Sequence, residues 1–307
     1  MFHWEAMRPI YREEPCKSAL NPVRGMGFRW SLNPYMGCVH RCTYCYVRAY
    51  EKRADRPSDE RYGRSIRVKT NVASVLRFEL HRRGWKRETV VIGAATDPYQ
   101  PAEGSYKLTR ACLEALASVH NPFGMITRGP MIVRDVDVLQ EASRRARVGI
   151  NVSIPTLDAD VWRKTEPGTS PPRQRLRAVR ALADAGIEVS VAMAPLLPGI
   201  SDSPAQIEEV VRSAREAGAS NVWANVLFLR AGTREHFLSH LARDWPDLLQ
   251  RYRELYARDA YLPEEAKAPA LRRVAEFRER YNVTASRAGL IEPPPPAQQL
   301  ALLALVS

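Results

Sequence analysis

NPYMGCVHRCTYCYVR, residues 33–48, sets Cys38, Cys42 and Cys45 within eight positions of a 307-residue chain. The spacing is C-x3-C-x2-C, in a loop that follows a strand expected at LNPYM. A [4Fe–4S] centre that only carries electrons takes four cysteines. Three suit a cluster with one iron left open to a small molecule, the distinction that separates catalytic from structural sites. Zinc is the competing ion, because His40 completes a Cys3His set. His40 is flanked by two of the cysteines, which crowds a tetrahedral cage, and no second C-x-x-C occurs. Inert buried cysteines are the third reading.

Outward from that loop, short apolar runs alternate with helical patterns. TVVIGAAT (89–96), FGMIT (123–127), VGINVSI (148–154), IEVSVAMAPLL (187–197) and NVWANVLFL (221–229) are each short enough for a strand buried on both faces. With LNPYM they make six strands separated by helices, which implies a parallel sheet curled into a full or partial barrel with sites at the strands' C-terminal ends. Gly186 and Gly218 stand where helix C-caps are expected. The chain divides into an N-terminal extension (1–24), the barrel (25–240), and C-terminal helices and tail (241–307). Residues 244–280 read as two helices separated by YLPEEAKAP. PPPP is expected to be extended, and the tail LALLALVS to pack on the barrel or a neighbour.

The first twenty residues are broken by charges and no apolar run approaches a membrane span, so a cytoplasmic protein without a membrane partner is expected. Five cysteines, three of them clustered, suit a reducing compartment. The 46 basic residues against 34 acidic give a net charge of +12, which makes nucleic acid an admissible partner. The excess is spread along arginine-rich helix faces, so charge alone does not select that partner. The sequence carries no signal of oligomeric state.

CVHRCTYC, with Tyr44 as the aromatic residue before the last cysteine, resembles the signature of the radical SAM superfamily. NPYMGCVHRCTYCYVR, TDPYQPAE (96–103) and APLLPGISD (194–202) together resemble its branch related to spore photoproduct lyase, over roughly residues 25–235. The resemblance implies a partial (β/α)6, TIM-like barrel, a [4Fe–4S] cluster on Cys38, Cys42 and Cys45, S-adenosylmethionine as co-substrate with Tyr44 near its adenine, and an external electron donor. The implied reaction is reductive cleavage to a 5′-deoxyadenosyl radical that abstracts hydrogen from a substrate, a nucleic-acid lesion being the family's analogy. A nucleic-acid-binding protein with a structural or redox-sensing cluster is the alternative.

Where the superfamily usually carries a Gly-Gly-Glu-like segment, this chain has Ala94-Ala95-Thr96-Asp97, so Thr96 and Asp97 are candidates for the ammonium group. Ser153 is placed for a ribose hydroxyl. Arg175, or Lys164, suits the methionine carboxylate. Asn225 on the sixth strand is expected to point inward. Spore photoproduct lyase uses a further cysteine as hydrogen donor, for which no counterpart is evident here. Cys112 falls on the apolar stripe of TRACLEAL, and Cys16 lies upstream of the barrel without an assigned role. His236 and His240, spaced i, i+4, read as a helix surface.

Overall fold

The computed structural model describes residues 9–284, so PPPP and the apolar tail lie outside the described residues. β1 (Ile10–Glu14), β2 (Leu20–Pro22), β3 (Trp30–Leu32) and β4 (Tyr35–Met36) precede α1 (Val47–Arg53). After β5 (Ser65–Lys69) and α2 (Val72–Leu80) comes β6 (Val90–Ile92), followed by α3 (Ala102–Tyr106) and α4 (Leu108–Ser118). β7 (Phe123–Thr127) leads to α5 (Val136–Arg145), and β8 (Val148–Ser153) to α6 (Ala159–Thr165) and α7 (Pro172–Asp184). β9 (Val189–Leu196), α8 (Pro204–Glu216), β10 (Asn221–Val226) and α9 (Thr233–Asp244) complete the alternation, before α10 (Leu249–Leu255) and α11 (Glu264–Arg280).

The apolar runs become strands of one seven-stranded sheet in the order β10-β9-β8-β7-β6-β3-β2. Six of the seven are parallel and only β2 is antiparallel, against β3. This is the expected partial barrel, open between β10 and β2. Its outer face is covered by helices, so Ile92, Met125, Ile150 and Val191 are buried together with Leu113, Leu139, Val179 and Val210, whereas the alternate residues Val91, Ile126 and Asn151 are only half-buried, unlike the two-sided burial expected. Gly186 and Gly218 adopt φ of 75° and 85°, the left-handed C-cap conformation expected of them.

Three local expectations need correction. LNPYM is two strands rather than one. Trp30–Leu32 joins the main sheet and Tyr35–Met36 joins a three-stranded sheet with β5 and β1. Asn33 and Pro34 make the break: the Asn33 side chain accepts from Ala95 N at 2.9 Å, and the Pro34 carbonyl accepts from Lys69 N at 3.1 Å. Second, the segment EEAKAP lies within α11, which starts after Pro263 and carries Pro269 in its second turn, where the missing N–H removes one helical bond. Third, Asn225 is exposed, because the β9–β10 register shifts between Ala224 and Val226.

The open edge at β10 is covered by the chain after α11. Val222 N donates to Val283 O at 3.2 Å, Asn221 pairs with Thr284, and Arg278 Nη2 donates to Asn221 Oδ1 at 2.8 Å. An uncovered parallel edge would offer unpaired backbone to other chains. Phe277 and Val274 anchor this cover in the main core. Phe277→Ala is expected to cost about 3–5 kcal/mol, read as a lower midpoint in urea denaturation.

Candidate active site

Residues 37–46 form a loop between β4 and α1, and its backbone is satisfied from several directions. Thr96 Oγ1 and Gln100 Nε2 both donate to Gly37 O, at 2.6 and 3.1 Å, while Val39 N donates to Gln100 Oε1 at 3.2 Å. From the far side of the barrel, Thr43 N donates to Thr165 O at 2.9 Å and Gly168 N to His40 O at 3.1 Å. Thr233 Oγ1 donates to Cys45 O at 3.0 Å. Two glycines permit this closeness. A Cβ on Gly168 would stand 2.3 Å from Val39 O, and one on Gly63 would stand 2.4 Å from Cys38 O.

The loop turns Cys38, Cys42 and Cys45 into one recess at the C-terminal ends of the strands, shared with Thr96, Asp97 and Arg128. Tyr62 approaches from beneath, its hydroxyl 3.7 Å from Cys45 Sγ. Burial pushes the Cys42 thiol well above its ordinary value and raises that of Cys45. Among the described residues no fourth cysteine lines the recess, and three thiols suit a [4Fe–4S] cluster with one iron left open rather than a four-cysteine centre.

Of the residues expected to meet S-adenosylmethionine, Thr96 and Asp97 line the recess, while Tyr44, Ser153 and Arg175 lie behind it. Asp97 is surrounded by protein donors. Oδ1 accepts from Tyr99 N and Thr127 Oγ1 at 2.9 and 2.7 Å; Oδ2 accepts from Arg128 N at 2.7 Å and lies 3.3 Å from His40 Nδ1. Burial alone would raise Asp97, but His40 and these hydrogen bonds hold it at about 2. Burial likewise works against a charged His40, and Cys38 and Asp97 outweigh it to raise the imidazole to about 10.

Behind the recess, Glu166 is 1% exposed and lies between two cations. Arg128 Nε donates to its Oε1 at 2.9 Å, Arg175 Nη2 lies 2.6 Å from Oε2, and the Tyr44 hydroxyl donates to Oε1. Arg175 also donates to Ser170 O and Ser153 O, both at 2.9 Å. Ser153 therefore serves this network through its carbonyl. Lys164 pairs at the surface with Asp160 at 2.7 Å.

The sequence model of the Radical SAM superfamily matches residues 32–209. The chain belongs to the radical SAM superfamily. Relatives at 39% identity over 296 residues, covering 95% of this chain and 86% of theirs, are uncharacterized proteins of Mycobacterium tuberculosis and Mycobacterium bovis. An uncharacterized protein of Methanocaldococcus jannaschii is 23% identical over 234 residues, covering 75% of this chain and 82% of its own. The fold is shared with spore photoproduct lyase, solved as a mutant with AdoMet and dinucleoside spore photoproduct bound. The TM-score is 0.67 at 14% identity, covering 88% of this chain and 79% of that one.

This radical SAM protein is thus an enzyme whose cofactors are a [4Fe–4S] cluster and S-adenosylmethionine, served by an external electron donor. No helix among the described residues is long and apolar enough to cross a membrane. Cys112 is buried in the main core, and Cys16 packs against that core with its N–H on Asn71 Oδ1 at 2.7 Å. Arg128, Tyr62, Gln100 and Glu166 escape a reading by motif. Arg128 alone carries a usable signal, since it directly follows FGMIT and so ends a barrel strand.

Glu166→Gln keeps the side-chain volume but leaves Arg128 and Arg175 facing a neutral amide, which is expected to cost on the order of 3–5 kcal/mol. Although burial raises it, Arg175 and Arg128 hold Glu166 at about 2, below its ordinary 4.5. Its stabilisation is complete above the unfolded value and is lost as pH falls through the folded one. Denaturation of both proteins from about pH 6 down to about pH 3 should show the stability gap narrowing.

Proposed function

We propose that Cys38, Cys42 and Cys45 hold the [4Fe–4S] cluster and that the recess they line binds S-adenosylmethionine. The observation that carries this reading is the convergence of the three thiols in one recess at the strands' C-terminal ends, with no fourth cysteine among the described residues lining it. With S-adenosylmethionine bound there, the cluster would supply the electron that breaks its C–S bond, giving methionine and a 5′-deoxyadenosyl radical for hydrogen abstraction. The protein's own contribution is to hold three sulfurs on a loop with few unpaired backbone groups and to present Arg128, Thr96 and Asp97 around the recess.

Within this reading Asp97, already provided with protein donors, acts as a positioning residue that ties His40 to the ends of β6 and β7. Arg175 and Tyr44 act through Glu166, which fixes the Arg128 guanidinium beside the recess. The substrate we infer is a nucleic acid carrying a lesion, in damaged or single-stranded form. Beside the recess Tyr46, Phe228 and Tyr261 form a run of rings, with centroids 5.9 and 5.1 Å apart. Tyr261 is 47% exposed, and Arg230 lies over its ring and bonds its hydroxyl. An exposed tyrosine beside arginine, at the end of a half-buried aromatic run, suits an unstacked base. A solved structure of spore photoproduct lyase holds dinucleoside spore photoproduct, and the fold shared with it supports the same substrate class.

Replacing Cys38, Cys42 and Cys45 together by alanine should abolish iron incorporation and the release of 5′-deoxyadenosine under anaerobic reduction. Wild-type protein that releases no nucleoside despite a full iron complement would refute the catalytic reading. Tyr261→Ala should weaken single-stranded oligonucleotide binding by roughly five- to a hundredfold, since stacking contributes ~1–3 kcal/mol per base. Slow nucleoside release without substrate should persist in that variant. Titrations of intact, ultraviolet-damaged and single-stranded oligonucleotides across a salt series should show affinity falling as salt rises; no binding at low salt would exclude nucleic acid.

A further inference from the structure

Away from the thiol recess, one carboxylate oxygen and two imidazole nitrogens, from Glu60, His236 and His240, lie within 4.8 Å of one another. The two histidines sit one turn apart on α9, as their i, i+4 spacing requires. They are not the helix surface expected from sequence: their side chains are only 7% and 14% exposed. Glu60 reaches them from the segment after α1, placing its Oε1 3.5 Å from His236 Nδ1 and 3.6 Å from His240 Nε2.

We propose that Glu60, His236 and His240 form a second metal site, distinct from the cluster cysteines, for a divalent transition ion of the zinc class. The separations fit such an ion. Bonds of about 2.0–2.1 Å at tetrahedral angles set neighbouring ligand atoms about 3.4 Å apart. Imidazole with carboxylate selects zinc and its first-row neighbours over magnesium and calcium, which prefer all-oxygen shells.

The surrounding contacts orient all three ligands. His240 Nδ1 lies 2.9 Å from the His236 carbonyl, and donating there leaves the lone pair of Nε2 directed toward Glu60. Arg41 Nη2 donates to Glu60 Oε2 at 3.4 Å, which reserves Oε1 for the imidazoles. Arg48 stands nearby as an unfavourable charge, but its guanidinium donates to Ser58 O and Asp59 O at 2.8 and 2.7 Å and lies over the Tyr62 ring.

The consequence is local and mechanical. An ion here joins α9 to the segment that carries Gly63 against Cys38 and Tyr62 against Cys45. It braces the cysteine loop from outside the recess without entering the reaction.

The test uses protein reconstituted anaerobically with iron and sulfide, washed with chelator and dialysed against zinc alone. The expected result is one zinc per chain beyond the cluster iron, with X-ray absorption showing nitrogen and oxygen neighbours at about 2.0–2.1 Å and no sulfur near about 2.3 Å. His240→Ala and Glu60→Gln should each weaken zinc retention at least about tenfold, as loss of one ligand requires, with iron content and circular dichroism unchanged. Glu60 is exposed, so its variant reports even if a histidine variant folds poorly. Failure of the wild type to retain zinc, sulfur in the zinc shell, or equal retention by Glu60→Gln would overturn the proposal.

Discussion

The buried carboxylate of Glu166 is the contact on which the site's arrangement depends. It draws together Tyr44 from the cysteine loop, Arg128 from the end of β7 and Arg175 from α7, three parts of the chain far apart in sequence. A lone carboxylate in such a position would be too costly to keep ionised. Two guanidinium partners and a phenol make it stable as an anion, and all three are thereby held in place. The recess inherits its charged wall from this arrangement, since Arg128 faces it while resting on Glu166.

The cysteine loop illustrates the same constraint in backbone terms. A loop that carries two buried thiols and a half-buried third cannot leave its buried amides and carbonyls unpaired. Its partners come from Gln100 and Thr96 on one side of the barrel and from Thr165, Gly168 and Thr233 on the other. Because these donors and acceptors sit on different β/α units, sulfur placement is a property of the whole barrel. The second hydrophobic cluster says the same in apolar terms: Cys42 and Tyr44 pack with Leu197, Val226, Phe237 and Tyr252.

An open barrel gains an accessible mouth and incurs an exposed edge. Here the edge at β10 is closed by the strand-like return after α11, and the helix itself is anchored through Val274 and Phe277. The aromatic run of Tyr46, Phe228 and Tyr261 lies at the other end of the same strand. The C-terminal helices therefore serve both the stability of the sheet and the rim of the site.

The sequence by itself determined the alternation of strands and helices and the cysteine triad, because a short apolar strand and a C-x3-C-x2-C loop are written in consecutive residues. Only the tertiary structure decided what Asp97, Arg175, His236 and His240 touch. Asp97 looked open at a strand end, yet donors from β7 and the cysteine loop surround it. Arg175 looked available for a ligand, yet Glu166 takes it. The two histidines looked solvent-facing, yet they are largely buried and meet Glu60, 176 and 180 positions earlier. Each outcome turns on a polar group finding a partner distant in the chain, and local periodicity carries no information about such partners.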